Sequence, residues 1–244
     1  DLEKIRRAIR PNNLHFPPTR LICLENTHGG AMGAPVPKDY IADVAQIARA
    51  HGLKLHIDGA RIFNAATALN TPVDQLVADA DSVSFCLSKG LCAPVGSIVV
   101  GSSEFIGRVR KYRKMLGGQL RQAGVLAAAG LVSLREMTKR LHEDHANARL
   151  LAEGLAQMPY IEIDVERVKT NMVFFALTPD TPVTADELAA RLKAEYGILA
   201  RPYSIADRTF RMVTHYYITR ESVEQTLAAM RAILDPAAMR VAGD

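Results

Sequence analysis

Short apolar segments alternate with helical ones along the first part of this 244-residue chain, and this alternation is the strongest constraint on its fold. Apolar residues recur every three or four positions from Pro37 or Lys38 to His51, which predicts an amphipathic helix that Gly52 ends. The segments with the length and composition of strands are Leu21–Glu25, Leu53–Ile57, Ser82–Leu87 and Pro94–Val100. The pattern predicts an α/β fold, a mostly parallel sheet with crossover helices.

The segment after about residue 100 is helical, and the pattern changes once this segment ends at about residue 158. Residues 104–115 and 120–158 have helical periodicity, and the alanine-rich stretch Val125–Leu134 is predicted to be well buried. From about residue 160 the predicted strands are 160–164, 171–177, 198–200 and 210–213, and the predicted helices are 184–196 and 220–234. Thr184 and Thr219 are suited to cap those two helices. The segment from about residue 160 onward predicts a small α+β domain.

Composition limits the classes of protein to which this chain can belong. Hydrophobic residues make up 48% of the chain and the formal net charge is +4, which is typical of a globular protein. The one dense basic run is Arg108–Lys114. It is consistent with a solvated helix face, with a nucleic-acid backbone contact or with residues that face an anionic cofactor. No aromatic stacking pattern accompanies it, so we predict no nucleic-acid partner.

Three cysteines without CxxC spacing predict neither a disulfide framework nor a metal site. Cys23 and Cys86 lie in apolar runs and are predicted to be core residues, and free thiols favour a reducing cytoplasm. No apolar run approaches the roughly 20 residues that a membrane helix needs. We therefore predict no membrane partner.

Two polar residues stand at the ends of predicted strands. Asp58 follows Leu53–Ile57, and Lys89 follows Ser82–Leu87. A lysine amine forms a Schiff base with pyridoxal 5'-phosphate (PLP), and an aspartate keeps the pyridine ring of that cofactor protonated. The pair suggests a PLP enzyme, although either residue alone is more often solvated or salt-bridged.

Five motifs occur in an order that resembles the low-specificity threonine aldolases, which are PLP enzymes of the aspartate-aminotransferase fold, fold type I. The motifs are Leu24–His28, His56–Asn64, Cys86–Ser97, Arg113–Gly124 and Arg211–His215. The resemblance extends over essentially the whole chain. It implies a first domain over 1–158, the C-terminal part of the large PLP-binding domain with a long interdomain helix, and a small domain over 159–244.

The resemblance also implies roles for individual residues. Lys89 corresponds to the lysine that carries PLP, and Asp58 to the partner of the pyridine nitrogen. Arg61, one helical turn beyond Asp58, corresponds to a residue that contacts the substrate carboxylate or the cofactor ring oxygen. Arg121, with Lys114, is implied to reach the PLP phosphate of a neighbouring subunit, so that a homodimer or homotetramer shares its active sites.

Arg211 corresponds to the substrate-carboxylate arginine of the small domain, and spacing alone leaves Arg208 and Arg201 as competitors. His15 corresponds to a histidine near the substrate hydroxyl and is the catalytic acid–base candidate, with His28 as a second possibility. Asn26, Thr27 and His56, which also lie in these motifs, are predicted to have structural roles.

The chain departs from the family at three places. Cys92 stands where the family usually has glycine, and the loop Gly29–Val36 is longer than in short bacterial relatives. The family's phosphate cup and its ring-stacking histidine come from a segment before the part resembled here. The resemblance therefore predicts a separate or missing N-terminal segment, and a chain that exposes the core surface this segment covers.

The function implied is retro-aldol cleavage of L-threonine or L-allo-threonine, β-hydroxy-α-amino acids, to glycine and an aldehyde. Two alternatives stay open. One is a related PLP β-eliminating lyase or aminotransferase of the same fold, and the other is an inactive fragment that serves as an oligomerisation module.

Overall fold

The computed structural model describes residues 1–11, 13–206 and 208–234. The chain divides into two compact units. The first unit comprises residues 1–29 and 35–140, and the second comprises residues 30–34 and 141 onward. The tail 235–244, which belongs to the predicted small domain, lies outside the described residues.

The first unit is a four-stranded sheet with helices. Its strands are β1 (Leu21–Glu25), β2 (Lys54–Asp58), β3 (Ser82–Cys86) and β4 (Ser97–Gly101). They lie in that order; β1, β2 and β3 are parallel and β4 is antiparallel to β3, which confirms the predicted α/β class. Its helices are α1 (Leu2–Ala8), α2 (Lys38–Ala50), α3 (Ile62–Ala68), α4 (Val73–Leu76), α5 (Ser103–Met115) and α6 (Gly124–Arg135).

Helix α2 packs on one face of this sheet and forms a hydrophobic core with it. The predicted apolar face is buried, with Val44 at 0% exposure, and packs with Leu55 and Ile57 of β2. The helix ends as predicted before Gly52, whose φ of +64° falls in the left-handed region and whose amide donates to the Arg49 carbonyl at 3.1 Å.

Strand alternation leaves the opposite face of the sheet polar. Parallel register places Cys23 beside His56 and Glu25 beside Asp58, all on the side away from α2. Ser82 and Ser84 of β3 continue this row. The two faces of one sheet thus differ in chemistry, and the polar face is where the candidate site is found.

Three burial predictions for this unit are wrong. Cys23 is exposed, and Leu21 of the same strand is 48% exposed, because β1 is an edge strand of the described sheet and packs on one face only. Cys86 is half-buried. The stretch Val125–Leu134 forms α6, yet Val125 is 77% exposed because none of the described elements covers this side of the helix.

The second unit is an antiparallel sheet packed against helices. Its strands β5 (Ile161–Glu162), β6 (Met172–Leu177), β7 (Pro202–Ser204) and β8 (Thr209–Val213) lie in the order β5-β6-β8-β7. Its helices are α7 (Leu141–Leu155), α8 (Ala185–Tyr196) and α9 (Arg220–Leu234). Phe210, Leu188 and Met230 are fully buried in its core.

The two predicted helix caps of this unit are confirmed. Thr184 accepts from the Glu187 amide at 3.2 Å, while the Glu187 carboxylate accepts from the Thr184 amide at 2.7 Å, a reciprocal capping box. Thr219 accepts from the Ser222 amide at 3.2 Å.

Two predicted elements differ in the structure. The helix expected over 120–158 is interrupted between α6 and α7 by a 3₁₀ turn at Met137–Arg140, where the Thr138 hydroxyl donates to the Leu134 carbonyl at 3.0 Å and competes with the helical bonding. The strand expected at 198–200 lies instead at 202–204. Ile198 is bound to the end of α8 instead, since its amide, just beyond the left-handed Gly197, donates to the Leu192 carbonyl at 2.9 Å.

The long helix α7 is expected from the sequence in the first domain, whereas its packing in the structure places it in the second unit. Among the described residues, no helix is long and apolar enough to cross a membrane.

Candidate functional site

The carboxyl ends of the three parallel strands lie at one edge of the first sheet. Backbone bonds continue the ladder past the strands: the Asn26 amide donates to the Asp58 carbonyl at 2.8 Å, and the Gly59 amide to the Ser84 carbonyl at 2.7 Å. The residues that follow β1, β2 and β3 are therefore held at the edge where open α/β sheets bind their ligands.

The polar face behind this edge is an ordered network. His56 Nδ1 lies 2.8 Å from the Ser82 hydroxyl, and its Nε2 lies 3.4 Å from that of Ser84. The ring is thereby held between two β3 hydroxyls. This accords with the structural role predicted for His56.

Asp58 ends β2 on this same face with an exposed carboxylate. Its Oδ1 accepts from the Ala60 amide at 3.1 Å, which orients the side chain through a local turn. Gly59 is required at this turn, since a Cβ there would lie 2.9 Å from the Ser84 carbonyl oxygen and from Ile62 Cβ. Arg61, half-buried, directly precedes α3.

Lys89 lies on an exposed turn after β3. The Lys89 carbonyl accepts from the Cys92 amide at 2.9 Å, and the Leu87 carbonyl accepts from the Ala93 amide at 3.0 Å. These two backbone hydrogen bonds close the turn. Cys92 has a φ of +57°, in the left-handed region that favours glycine. The position where the family usually has glycine is thus one whose backbone suits glycine.

Lys114 and Arg121 flank the connection between α5 and α6. Lys114 lies in the last turn of α5, and Arg121 precedes α6 by three residues; both are exposed. Neither forms an ion pair with another described residue. Two cations without carboxylate partners leave this connection able to bind an anion.

His15 lies on an exposed loop, where its amide donates to Asn13 Oδ1 at 2.8 Å. None of the described contacts joins His15 to Asp58 or Lys89. The second histidine candidate, His28, lies closer to the edge in sequence, and its Nε2 is 3.9 Å from Glu25 Oε2. Sequence reasoning assigned no role to Glu25, although parallel pairing with β2 predicts that it lies beside Asp58.

Asn26 fixes the loop that follows β1. Its fully buried side chain donates to the Val36 carbonyl at 2.9 Å and accepts from the Val36 amide at 3.0 Å, which closes the base of the loop 27–35. This clamp is the kind of structural role predicted for Asn26. Thr27 is also buried, and its hydroxyl has no hydrogen-bond partner among the described residues.

The three arginines of the second unit have different surroundings. Arg208 donates to the Thr178 and Pro179 carbonyls at 3.1 and 3.0 Å, so its guanidinium holds a loop. Arg211 is exposed on β8 with its guanidinium 5.2 Å from the Tyr203 ring centroid. Arg201 and Arg211 line one cavity of about 420 Å³, from which Arg208 is absent.

The residues of the first unit suit PLP as a group. An exposed lysine without an ion pair to a described residue follows β3, and an exposed carboxylate ends the neighbouring β2. An amine and a carboxylate are the two groups that hold the aldehyde and the pyridine nitrogen of that cofactor. The exposed cations at the α5–α6 connection supply charge for a phosphate.

Comparisons with known proteins agree with these motifs. The profile of the Beta-eliminating lyase family matches residues 1–178. The chain is 48% identical over 233 residues to "Low-specificity L-threonine aldolase 1" of Arabidopsis thaliana, covering 95% of this chain and 64% of that protein. It is 41% identical over 233 residues to "Low specificity L-threonine aldolase" of Escherichia coli O157:H7, covering 96% and 66%.

A solved structure of a threonine aldolase from Leishmania major superposes with a TM-score of 0.74 at 17% identity, over 96% of this chain and 66% of that one. This likeness shows a shared fold. The chain spans 64–66% of the length of these relatives.

Proposed function

The chain belongs to the β-eliminating lyase family, and on that basis we propose that the protein uses PLP to cleave β-hydroxy-α-amino acids, L-threonine and L-allo-threonine, to glycine and an aldehyde. One observation carries the proposal. Asp58 ends β2 and Lys89 follows the neighbouring parallel strand β3 at the carboxyl edge of the sheet, in a chain 48% identical to a protein named as a threonine aldolase.

The cofactor is proposed to be held by residues of the first unit. Lys89 would bond its aldehyde carbon, and Asp58 its pyridine nitrogen. Arg61 would contact the ring oxygen or the substrate, and Arg121 with Lys114 the phosphate of a neighbouring subunit. When bound, PLP withdraws electrons from the substrate Cα.

The side chains around it are proposed to bind substrate and move protons. Arg211 and Arg61 hold the substrate carboxylate, for which a planar guanidinium offers paired donors. His15 accepts the proton of the β-hydroxyl, as an imidazole does near neutral pH. Asp58 keeps a negative charge beside the pyridine nitrogen, which favours the protonated ring.

The assembly proposed is a homodimer or homotetramer in the cytoplasm. The exposed apolar residues of α5 and α6 support it, because exposed apolar surface often marks an interface. If Lys114 and Arg121 of one subunit bind the phosphate in the site of its neighbour, each site is complete only in the assembly.

The test is to substitute Lys89 with alanine and to compare it with Lys38→Ala, which removes an exposed lysine at the start of α2. We expect wild-type and Lys38→Ala protein to retain PLP covalently after borohydride reduction, with the mass added to the peptide that contains Lys89. Lys89→Ala should retain none and lose at least about a hundredfold in threonine cleavage. Covalent PLP or wild-type-like turnover in Lys89→Ala would sink the assignment.

A related β-eliminating activity is the second candidate, because the matching family carries that name. Product analysis separates the two. Glycine with an aldehyde supports the aldolase; ammonia with a keto acid supports the β-eliminating lyase; amino transfer would indicate an aminotransferase. A protein that neither binds PLP nor forms any of these products would support the inactive module.

A further inference from the structure

Two carboxylates end neighbouring strands at the carboxyl edge of the first sheet. Glu25 is the last residue of β1 and Asp58 the last residue of β2, and the parallel register makes them direct partners. Neighbouring strands lie about 4.8 Å apart, and partners in register point to the same face. The Asn26 amide, which donates to the Asp58 carbonyl at 2.8 Å, keeps the chain beside β2 beyond this pair. The two acidic side chains are therefore held side by side.

The loop after β1 folds back over the Glu25 carboxylate. Glu25 Oε2 lies 3.9 Å from His28 Nε2, and a Cβ added at Gly29 would lie only 3.1 Å from Glu25 Oε1. Glycine at position 29 leaves room for this carboxylate, whose side chain is still 44% exposed. Because the Asn26 side chain closes the base of the same loop on Val36, the carboxylate has fixed surroundings at the edge of the sheet.

Little positive charge offsets this pair of carboxylates. Among the described residues, Asp58 forms no ion pair, and Glu25 has only the contact with His28, whose imidazole is charged only when it is protonated. Like charges directly opposite each other on neighbouring strands are destabilising. Arrangements that lower the stability of a folded chain in this way occur at functional sites, where a bound ligand relieves the repulsion.

We propose that Glu25 is a second carboxylate of the cofactor site: it adds a negative charge beside Asp58, which favours the protonated pyridine ring of PLP and lowers the stability of the cofactor-free protein. A charge at this distance acts through Coulomb attraction and needs no direct hydrogen bond. The inference rests on the proposed function, which assigns the ring nitrogen to Asp58 alone, and it extends the same site by one residue.

The first measurement compares the affinity for PLP of wild type, Glu25→Gln and Glu162→Gln, by spectrophotometric titration of the full chain. Glu162 is a matched control because it too is the exposed last residue of an edge strand, but its partner on β6 is Ala176. We expect Glu25→Gln to bind PLP about three- to tenfold more weakly and Glu162→Gln to bind it like the wild type. The phosphate of PLP is an anion, so a general loss of negative charge would strengthen binding and not weaken it.

The second measurement repeats the titration with the deaza analogue of PLP, in which carbon replaces the ring nitrogen. This analogue has no ring nitrogen to protonate, so Glu25→Gln should bind it at least as well as the wild type does. Glu25→Asp, which keeps the charge, should retain most of the affinity for PLP. An equal loss of affinity for PLP and for the analogue in Glu25→Gln would overturn the proposal, because it would indicate a local structural defect.

The third measurement is urea unfolding of the cofactor-free protein. Glu25→Gln should raise the unfolding midpoint by about 0.1–0.5 M, because it removes one of two adjacent like charges, and the increase should shrink in about 1 M salt. Glu162→Gln should leave the midpoint unchanged. A lower midpoint in Glu25→Gln would show that the carboxylate stabilises the fold, which contradicts the proposal.

Failure of this inference and failure of the proposed function give different results. A wild type that takes up no PLP overturns both. If PLP is retained on Lys89 with the same affinity in wild type and in Glu25→Gln, the role of Glu25 is refuted and the proposed function stands.

Discussion

At the scale of the residue, Cys92 has a backbone conformation that its side chain disfavours. A left-handed φ costs an L-residue about 1–2 kcal/mol, of which glycine's greater loss of freedom on folding offsets about 0.4–1 kcal/mol. We therefore expect Cys92→Gly to raise the free energy of unfolding by up to about 1 kcal/mol, measured by urea titration.

Cys92→Ala is the control for this prediction, since it removes the thiol and keeps the Cβ. Its free energy of unfolding should stay close to that of the wild type. If alanine stabilises the chain as much as glycine does, the thiol and not the backbone would be the source of the effect.

His145, on α7, gives the second unit a dependence on pH. Burial, together with the nearby His142, lowers the pKa of His145 from 6.5 to about 4. Between these values the unfolded chain binds the additional proton, so stability rises with pH. The contribution of His145 is complete above pH 6.5 and is lost as the pH falls through this window toward 4, by up to about 3 kcal/mol.

Urea titration of wild type and His145→Gln at several pH values from 4 to 7 checks this prediction. The stability of the variant should change less across the window than that of the wild type. Parallel pH profiles would show that His145 does not cause the dependence.

At the scale of the element, the capping box of α8 offers a measurable contribution. Thr184→Ala removes the acceptor for the Glu187 amide and should lower the free energy of unfolding by about 1 kcal/mol. Thr184→Ser keeps a hydroxyl and should retain most of that stability. An equal loss in both variants would mean that the methyl group, and not the hydrogen bond, matters.

Elements were predictable where local chemistry alone decides them. Helix α2 has a regular apolar face and a glycine stop, and α8 has its capping threonine, so both boundaries follow from the residues themselves. The 3₁₀ turn at 137–140 and the position of β7 depend on hydrogen bonds that periodicity does not show. The prediction that α6 is buried was wrong because apolar composition does not show whether another element covers the helix.

The residues of the candidate site were likewise only partly predictable from the sequence. The strand ends that carry Asp58 and Lys89 could be predicted because the apolar runs before them are plain in the sequence. The choice among Arg201, Arg208 and Arg211 could not be made from spacing, since it depends on which guanidinium a folded loop already uses.

At the scale of the whole molecule, the exposed apolar residues at the end of α5 and in α6 predict self-association. Leu116 is 85% exposed and Val125 is 77% exposed, on consecutive parts of the first unit. Replacing both with lysine should shift the chain toward monomer in sedimentation velocity runs over a range of concentrations. Leu14→Lys, at a fully exposed loop residue, is the control. An unchanged distribution in the double variant would refute the prediction.

The course of the chain between the two units has a consequence for the order of events in synthesis. Residues 30–34 belong to the second unit, and the buried Thr170 hydroxyl donates to the Gly33 carbonyl at 2.8 Å across 137 residues of sequence. A ribosome releases the early segment long before its partner exists. The described residues of the first unit have all emerged once position 140 has been made. The second unit must wait for residues 141 onward to return to residues 30–34, and closing so long a loop carries an entropic cost.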